Sequence, residues 1–298
     1  MTQHNPTLTL NNGVEMPALG LGVYQSSPEE TAEAVHTALR TGYRLIDTAA
    51  AYFNEEQVGE GIRRSGVDRE EAFVTTKLWI SDYGYEPALR AFDASLRRLG
   101  LDYIDLYLLH WPVPSDLDAA VASYQAAQKL LAEGRARAIG VCNHSPQHLA
   151  TLVERTEVVP AVNQVELHPY FTQRAVREAG ARHGTITQSW SPIGGVNVYA
   201  TTDAEKARNV LQDPVIRDLV ETHGRTAAQI VLRWHLQNGL SAILKSVHAN
   251  RIKENFDVFD FSLSASEMAA IDGLDTGVRG GPDPEQVDTE MFPLTVEN

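Results

Sequence analysis

One cysteine, Cys142, stands among 298 residues, which excludes an internal disulfide and fits a reducing compartment. Long apolar runs are missing as well, since none approaches the ~20 residues that span a bilayer. The opening Met1-Thr-Gln-His-Asn-Pro6 lacks the basic start and apolar stretch of a secretory leader. These absences predict a cytoplasmic protein with no membrane partner. Positive charge is scarce, with 25 Lys and Arg against 39 Asp and Glu. The resulting net charge of −14 argues against nucleic acid as a partner and requires a local basic pocket for any anionic ligand. His144, His148 and His168 have no companions at zinc spacing and there is no His-Glu-x-x-His, so no metal site is expected. No strand-like run leads into a Gly-x-Gly-x-x-Gly turn either. Gly59-Glu-Gly61 falls inside a helical pattern and is no dinucleotide fingerprint.

The chain does contain a regular alternation. Eight apolar runs, at residues 18–24, 44–51, 72–79, 104–111, 136–143, 161–168, 185–192 and 240–247, read as strands. Amphipathic segments lie between them. Leu89, Phe92, Leu96 and Leu99 follow the spacing of one helix face. Ser27-Pro28-Glu-Glu opens the first helix with a cap, a proline and early acids, and Thr41-Gly42 and Glu133-Gly134 read as helix stops. Alternating strand and helix implies a parallel sheet covered by helices. Eight units in this length predict an α/β fold of the (β/α)8 barrel type, as one domain over residues 1–298, with an open doubly wound sheet as the competing topology. Residues 8–10 and 14–16 around Asn11-Asn12-Gly13 predict an N-terminal β-hairpin. The polar insertion at 194–212 precedes an extra helix near 215–223, and the aperiodic tail from Gly273 is expected to drape over the barrel.

Barrel active sites are built at the C-terminal ends of the strands. Asp47, Lys77 and His110 fall at such ends, with Tyr52 on the loop just after. Any one of them alone would more often be structural. Together, a carboxylate, a phenol, an ammonium and an imidazole suit proton donation to a carbonyl oxygen. A phenol titrates near ~10, so the expectation is that Lys77, paired with Asp47, lowers the pKa of Tyr52. His110 would then orient the substrate oxygen.

The stretches Gly42-Tyr-Arg-Leu-Ile-Asp47-Thr-Ala-Ala-Ala-Tyr52-Phe-Asn-Glu-Glu56, Leu108-Leu-His110-Trp-Pro112 and Ile243-Leu-Lys245-Ser-Val closely resemble the aldo-keto reductases. So do Asn12-Gly-Val-Glu-Met-Pro17 and Val162-Asn-Gln164-Val-Glu-Leu-His168-Pro169, and the similarity is greatest to bacterial members like the 2,5-diketo-D-gluconate reductases. The resemblance implies a monomeric barrel that binds NADPH without a Rossmann domain and reduces small-molecule aldehydes, α-dicarbonyls or ketones. It makes Tyr52 the general acid, tuned by Lys77 and Asp47, with His110 orienting the carbonyl. It places the nicotinamide carboxamide at Asn143 and Gln164, and stacks Trp190 on the ring. Ser191, Ile193 and Gly194 would line the pyrophosphate. Lys245, Ser246, Val247 and Arg251 would hold the 2′-phosphate, and Glu254 and Asn255 the adenine. Cations at a strand end beside a helix N-terminus are a physically sensible phosphate site. Cys142, Leu244 and His248 depart from the pattern of relatives without removing a catalytic group.

Tyr24, Trp79 and Trp111 follow strand ends and would give the substrate aromatic walls. The loops at 80–86 and 113–118 contain no Lys or Arg, so no anchor for an anionic substrate is expected there. Two other classes stay open: a Schiff-base aldolase using Lys77, and a non-catalytic NADPH-binding sensor.

Overall fold

A computed structural model describes residues 5–194 and 209–297. A two-stranded hairpin, β1 (Thr7–Thr9) and β2 (Glu15–Pro17), comes first, with Leu8 opposite Met16. Eight strands then form a closed barrel. They are β3 (Leu19–Gly22), β4 (Leu45–Asp47), β5 (Phe73–Leu78) and β6 (Ile104–Leu109), followed by β7 (Ala136–Cys142), β8 (Val162–Glu166), β9 (Ile186–Trp190) and β10 (Ser241–Lys245). Each pairs in parallel with the next, and β10 closes on β3. The open-sheet alternative is thereby excluded.

The outer ring holds α1 (Pro28–Thr41), α2 (Glu55–Ser65), α3 (Tyr85–Leu99), α4 (Leu117–Ala132) and α5 (Pro146–Arg155). It continues with α6 (Arg174–His183), α7 (Pro214–His223), α8 (Ala227–Gln237), α9 (Ala249–Phe256) and α10 (Ala265–Asp272). α7 is the extra helix expected after the insertion. Ser27 caps α1 in a reciprocal box with Glu30, and Gly42 ends it at φ 126°. In α3 the Phe92, Leu96 and Leu99 face is buried against the strands, as the spacing requires.

The period-2 alternation of each strand divides the core. Leu21, Ile46, Val74, Tyr107 and Leu109 point outward to the helices. Leu45, Phe73, Leu106, Leu108 and Ile243 point inward and are joined by Leu10 and Met16 of the hairpin, which closes the lower end. This interior is full: a Cβ on Gly20 would lie 2.6 Å from both Ile243 and Leu45.

The apolar runs overshoot the strands at their C-terminal ends. The run at 44–51 yields only Leu45–Asp47, after which Ala50–Tyr52 coils into a 3-10 turn. Such loops cover the core too, so they stay apolar. The tail drapes over the upper mouth as expected: Val287 and Val296 are buried beside Trp79 and Trp111. Of the insertion, Val210–Gln212 is a 3-10 turn, and the expectation that this segment closes over a cofactor lies outside the described residues. No helix among the described residues is long and apolar enough to cross a membrane.

Candidate active site

The inward positions become polar as each strand climbs. On β4 the sequence is Leu45 then Asp47; on β5 it is Phe73, Thr75, Lys77. Lys77 is fully buried and donates to Asp47 Oδ1 at 2.6 Å and to the Thr48 carbonyl at 2.9 Å. The second oxygen of Asp47 accepts from Gln164 Nε2 at 2.7 Å, and that amide also donates to Gln188 Oε1 at 2.7 Å. Gln188 is the cross-strand partner of Gln164, so register alone brings the two amides together.

Tyr52 closes the turn above this pair. Lys77 Nζ lies 5.1 Å from its ring centroid, and the His110 ring 5.7 Å away. The structure corrects one expectation. Burial, and next the Asp47 carboxylate, hold the Tyr52 phenol well above its ordinary pKa rather than below it. The Lys77 charge, paired with Asp47 at contact distance, does not offset burial and the Asp47 carboxylate. Tyr52 is therefore a fully loaded proton donor. Burial and the nearby Lys77 push His110 well below the usual imidazole range, so it is neutral. Its Nδ1 has no hydrogen-bond partner among the described residues.

The residues assigned to the nicotinamide converge beside this group. Trp190 Nε1 donates to Asn143 Oδ1 at 2.8 Å, and Asn143 Nδ2 donates to the His110 carbonyl at 3.0 Å. Asn143 and Ser191 both take left-handed backbone, at φ 61° and 51°. Asn143 Oδ1 and Gln164 Oε1 keep free lone pairs for a carboxamide. Ile193 and Gly194 follow Ser191 at the same rim, partly exposed. Lys245 ends β10 exposed, Arg251 is exposed in the first turn of α9, and neither forms an ion pair among the described residues. Ser246 is buried, Val247 partly buried, Glu254 exposed and Asn255 buried. No side chain caps α9, so its first N–H groups are available to an anion. Two exposed cations at an uncapped helix start fit a phosphorylated dinucleotide. Cys142 is buried and burial pushes its thiol pKa up, which makes it inert.

The predicted aromatic walls are present. Tyr24 is exposed with its ring 5.0 Å from Tyr52, and Trp79 meets His110 edge-on at 5.1 Å. Trp111 lies parallel to His110 at 6.4 Å. A further wall was missed: Phe292 of the tail sits 6.0 Å from Trp79 and 6.2 Å from Trp111. Trp79 Nε1 fixes that strap by donating to the Leu294 carbonyl at 2.9 Å. Phe292 lies in aperiodic sequence, which carries no signal of where the chain returns.

The family model described as aldo/keto reductase family matches residues 17–276. Morphine 6-dehydrogenase of Pseudomonas putida is 59% identical over 98% of this chain and 99% of its own. Methylglyoxal reductase DkgA of Escherichia coli K12 is 49% identical over 95% of this chain and 98% of its own. Among solved structures, an aldo-keto reductase of Bombyx mori in complex with NADP superposes with a TM-score of 0.87. It is 35% identical and covers 94% of this chain and 96% of its own. The chain belongs to the aldo/keto reductase family, whose members are NADP-dependent oxidoreductases acting on carbonyl groups.

Proposed function

We propose that this chain reduces aldehydes, α-dicarbonyls and ketones to alcohols with NADPH, with Tyr52 as the general acid. The buried Lys77–Asp47 pair beneath a protonated Tyr52 carries the reading. The dinucleotide supplies the hydride when bound. Tyr52 passes its hydroxyl proton to the substrate oxygen as the carbonyl carbon becomes an alcohol carbon. The phenolate left behind is stabilised by Lys77, whose ammonium is held in place by Asp47 and the Thr48 carbonyl. Neutral His110 holds the oxygen by hydrogen bonding without competing as an acid. Asn143 and Gln164 orient the carboxamide, Trp190 backs the ring, and Ser191, Ile193 and Gly194 take the pyrophosphate. Lys245, Ser246, Val247 and Arg251 select NADPH through its 2′-phosphate, with Glu254 and Asn255 at the adenine. All these groups come from one chain, so a monomer suffices, and one domain carries both sites in the cytoplasm.

The aldolase alternative fails on the same ion pair. A fully buried ammonium bonded to a carboxylate is a poor nucleophile, and Lys77 is 0% exposed. Tyr24, Trp79, Trp111 and Phe292 favour apolar carbonyl compounds, and none of these four walls is charged. The two named relatives act on substrates of very different size, one polycyclic and one of three carbons, so a panel must span that range.

The deciding experiment follows absorbance at 340 nm with NADPH and, separately, NADH. Methylglyoxal, phenylglyoxal, aromatic aldehydes, a polycyclic ketone and a diketo sugar acid form the panel. Turnover that prefers NADPH is the expected outcome. Tight NADPH binding with no turnover on any carbonyl would point to a binding protein instead.

A further inference from the structure

The C-terminal tail is tied to the barrel at a buried carboxylate that the reaction does not use. Glu166 ends β8 and is 1% exposed. Both of its oxygens accept backbone N–H groups from the tail, Gly280 to Oε1 at 2.8 Å and Gly281 to Oε2 at 2.9 Å. His168 Nε2 adds a hydrogen bond to Oε1 at 3.1 Å. The Arg279 guanidinium stands 3.9 Å from Oε2 and covers the Phe171 ring at 4.9 Å. Burial alone would raise the pKa of this carboxyl, but His168 and the two glycine amides hold it below the usual range, so it is charged.

Both glycines are there because nothing larger fits. A Cβ on Gly280 would lie 2.8 Å from Glu166 Oε1. One on Gly281 would lie 2.6 Å from Trp190 Cη2 and 3.1 Å from Glu166 Oε2. Glu166 and Trp190 are direct cross-strand partners, so the clamp and the ring share one register position. The benzo edge of Trp190 is backed by tail backbone. Its Nε1 edge is held by Asn143, which in turn bonds the His110 carbonyl. An indole blocked at both edges has one orientation available.

We propose that Glu166 is a positioning residue: by clamping Gly280 and Gly281 it sets the Trp190 ring against the nicotinamide and couples the substrate-side tail to cofactor binding. This rests on Trp190 as the stacking ring. The same tail carries Phe292 and Leu294 at the substrate walls, so a substrate that shifts the tail alters the cofactor's seat, and the coupling is reciprocal.

The test uses the full chain and calorimetric titration of NADPH, with kcat, KM and the urea midpoint measured alongside. Trp190→Leu, Glu166→Gln, Gly281→Ala and Gly280→Ala are compared. Trp190→Leu weakens NADPH binding if the ring assignment holds; unchanged affinity overturns that assignment and this inference with it. Given a weakened Trp190→Leu, Glu166→Gln and Gly281→Ala are expected to raise the NADPH Kd about tenfold, a coupling within the usual range. The carbonyl KM, measured at saturating NADPH, should change less than the Kd. Wild-type NADPH affinity in both variants overturns the clamp while leaving the reductase intact. If Glu166→Gln fails to fold, Gly281→Ala decides from the tail side. Gly280→Ala, which strains the carboxylate without touching Trp190, should give a smaller rise than Gly281→Ala; the reverse order refutes the contact path.

Discussion

The two ends of this barrel solve the same backbone problem with different residues. Where helices turn back into strands, at the lower end, left-handed backbone falls on glycine: Gly42, Gly66, Gly100, Gly134, Gly184 and Gly239. Where strands lead into helices, at the upper end, it falls mostly on other residues, Gln25, Phe53, Val113, Asn143, Gln173 and Ser191, beside Gly84 and Gly194. A non-glycine residue there costs of order 1 kcal/mol. The lower end is built for stability and the upper end carries strain beside its chemical groups. Charge follows the same division. Asp105, fully buried near the start of β6, receives Arg69 at 2.8 Å and Arg137 at 2.7 Å, whereas the upper pair of Lys77 and Asp47 sits under the reacting phenol.

The division is sharpest in what removal of one group should do. Tyr52→Phe, at the upper end, should lower kcat by about 10²- to 10⁴-fold, the usual contribution of a general acid, with NADPH affinity unchanged. Full turnover of an aldehyde by that variant would mean another group donates the proton. Asp105→Asn should do the opposite. It leaves two arginines without their carboxylate, at a cost of about 2–4 kcal/mol, reduced from the fully buried case because both arginines reach solvent. Urea denaturation should show that loss while kcat at 25 °C stays within about twofold. A comparable fall in kcat would erase the distinction between the ends.

Acid should also act from the upper end. His144 and His235 are buried neutral, with pKa values lowered to about 3 by burial, and His110 is lowered by burial and Lys77. Their folded pKa lies below the unfolded value near ~6.5, so their contribution is complete above that pH and is lost as pH falls toward 3. His235 Nε2 donates to the Pro192 carbonyl at 2.9 Å, a bond that glutamine can imitate without titrating. Stability of His235→Gln should therefore decline less between pH 6.5 and 4 than that of the parent, by up to about 1.4 kcal/mol per pH unit. Parallel curves would show that His235 does not report on acid. The smallest effects concern the turns themselves. Gly66→Ala, with nothing within 4 Å of its new Cβ, should cost about 1 kcal/mol from backbone alone. Phe53→Gly, exposed at the upper rim, should leave the urea midpoint nearly unchanged, because relieved strain offsets unfolded-chain entropy.

The order of strands and helices was legible because each barrel strand is buried on both faces and each helix on one, and burial leaves a period. The four chemical groups were legible because the same alternation that points Leu45 and Phe73 into the barrel points Asp47 and Lys77 inward one step higher. What escaped depended on distance through space. The net direction of the Tyr52 pKa was misjudged, since burial and the Asp47 carboxylate, which depend on packing, outweigh the ammonium that the sequence shows. Phe292 and Glu166 escaped because the tail has no period and its landing place is set by contacts more than a hundred residues away. Gly280-Gly281 was the one local hint, as paired glycines mark a close approach.

The hairpin at the lower end makes the barrel a blind well. Beneath Lys77 the interior is lined by Leu45, Phe73, Leu106 and Leu108 and sealed by Leu10 and Met16, and the polar chain that descends from Asp47 through Gln164 and Gln188 ends, among the described residues, at buried Ser241 and the Met16 sulfur. After each turnover the Tyr52 oxygen needs its proton back, and that proton must enter by the opening through which the alcohol leaves. Refilling the acid and emptying the pocket are then traffic through a single doorway, and the tail that narrows it governs both.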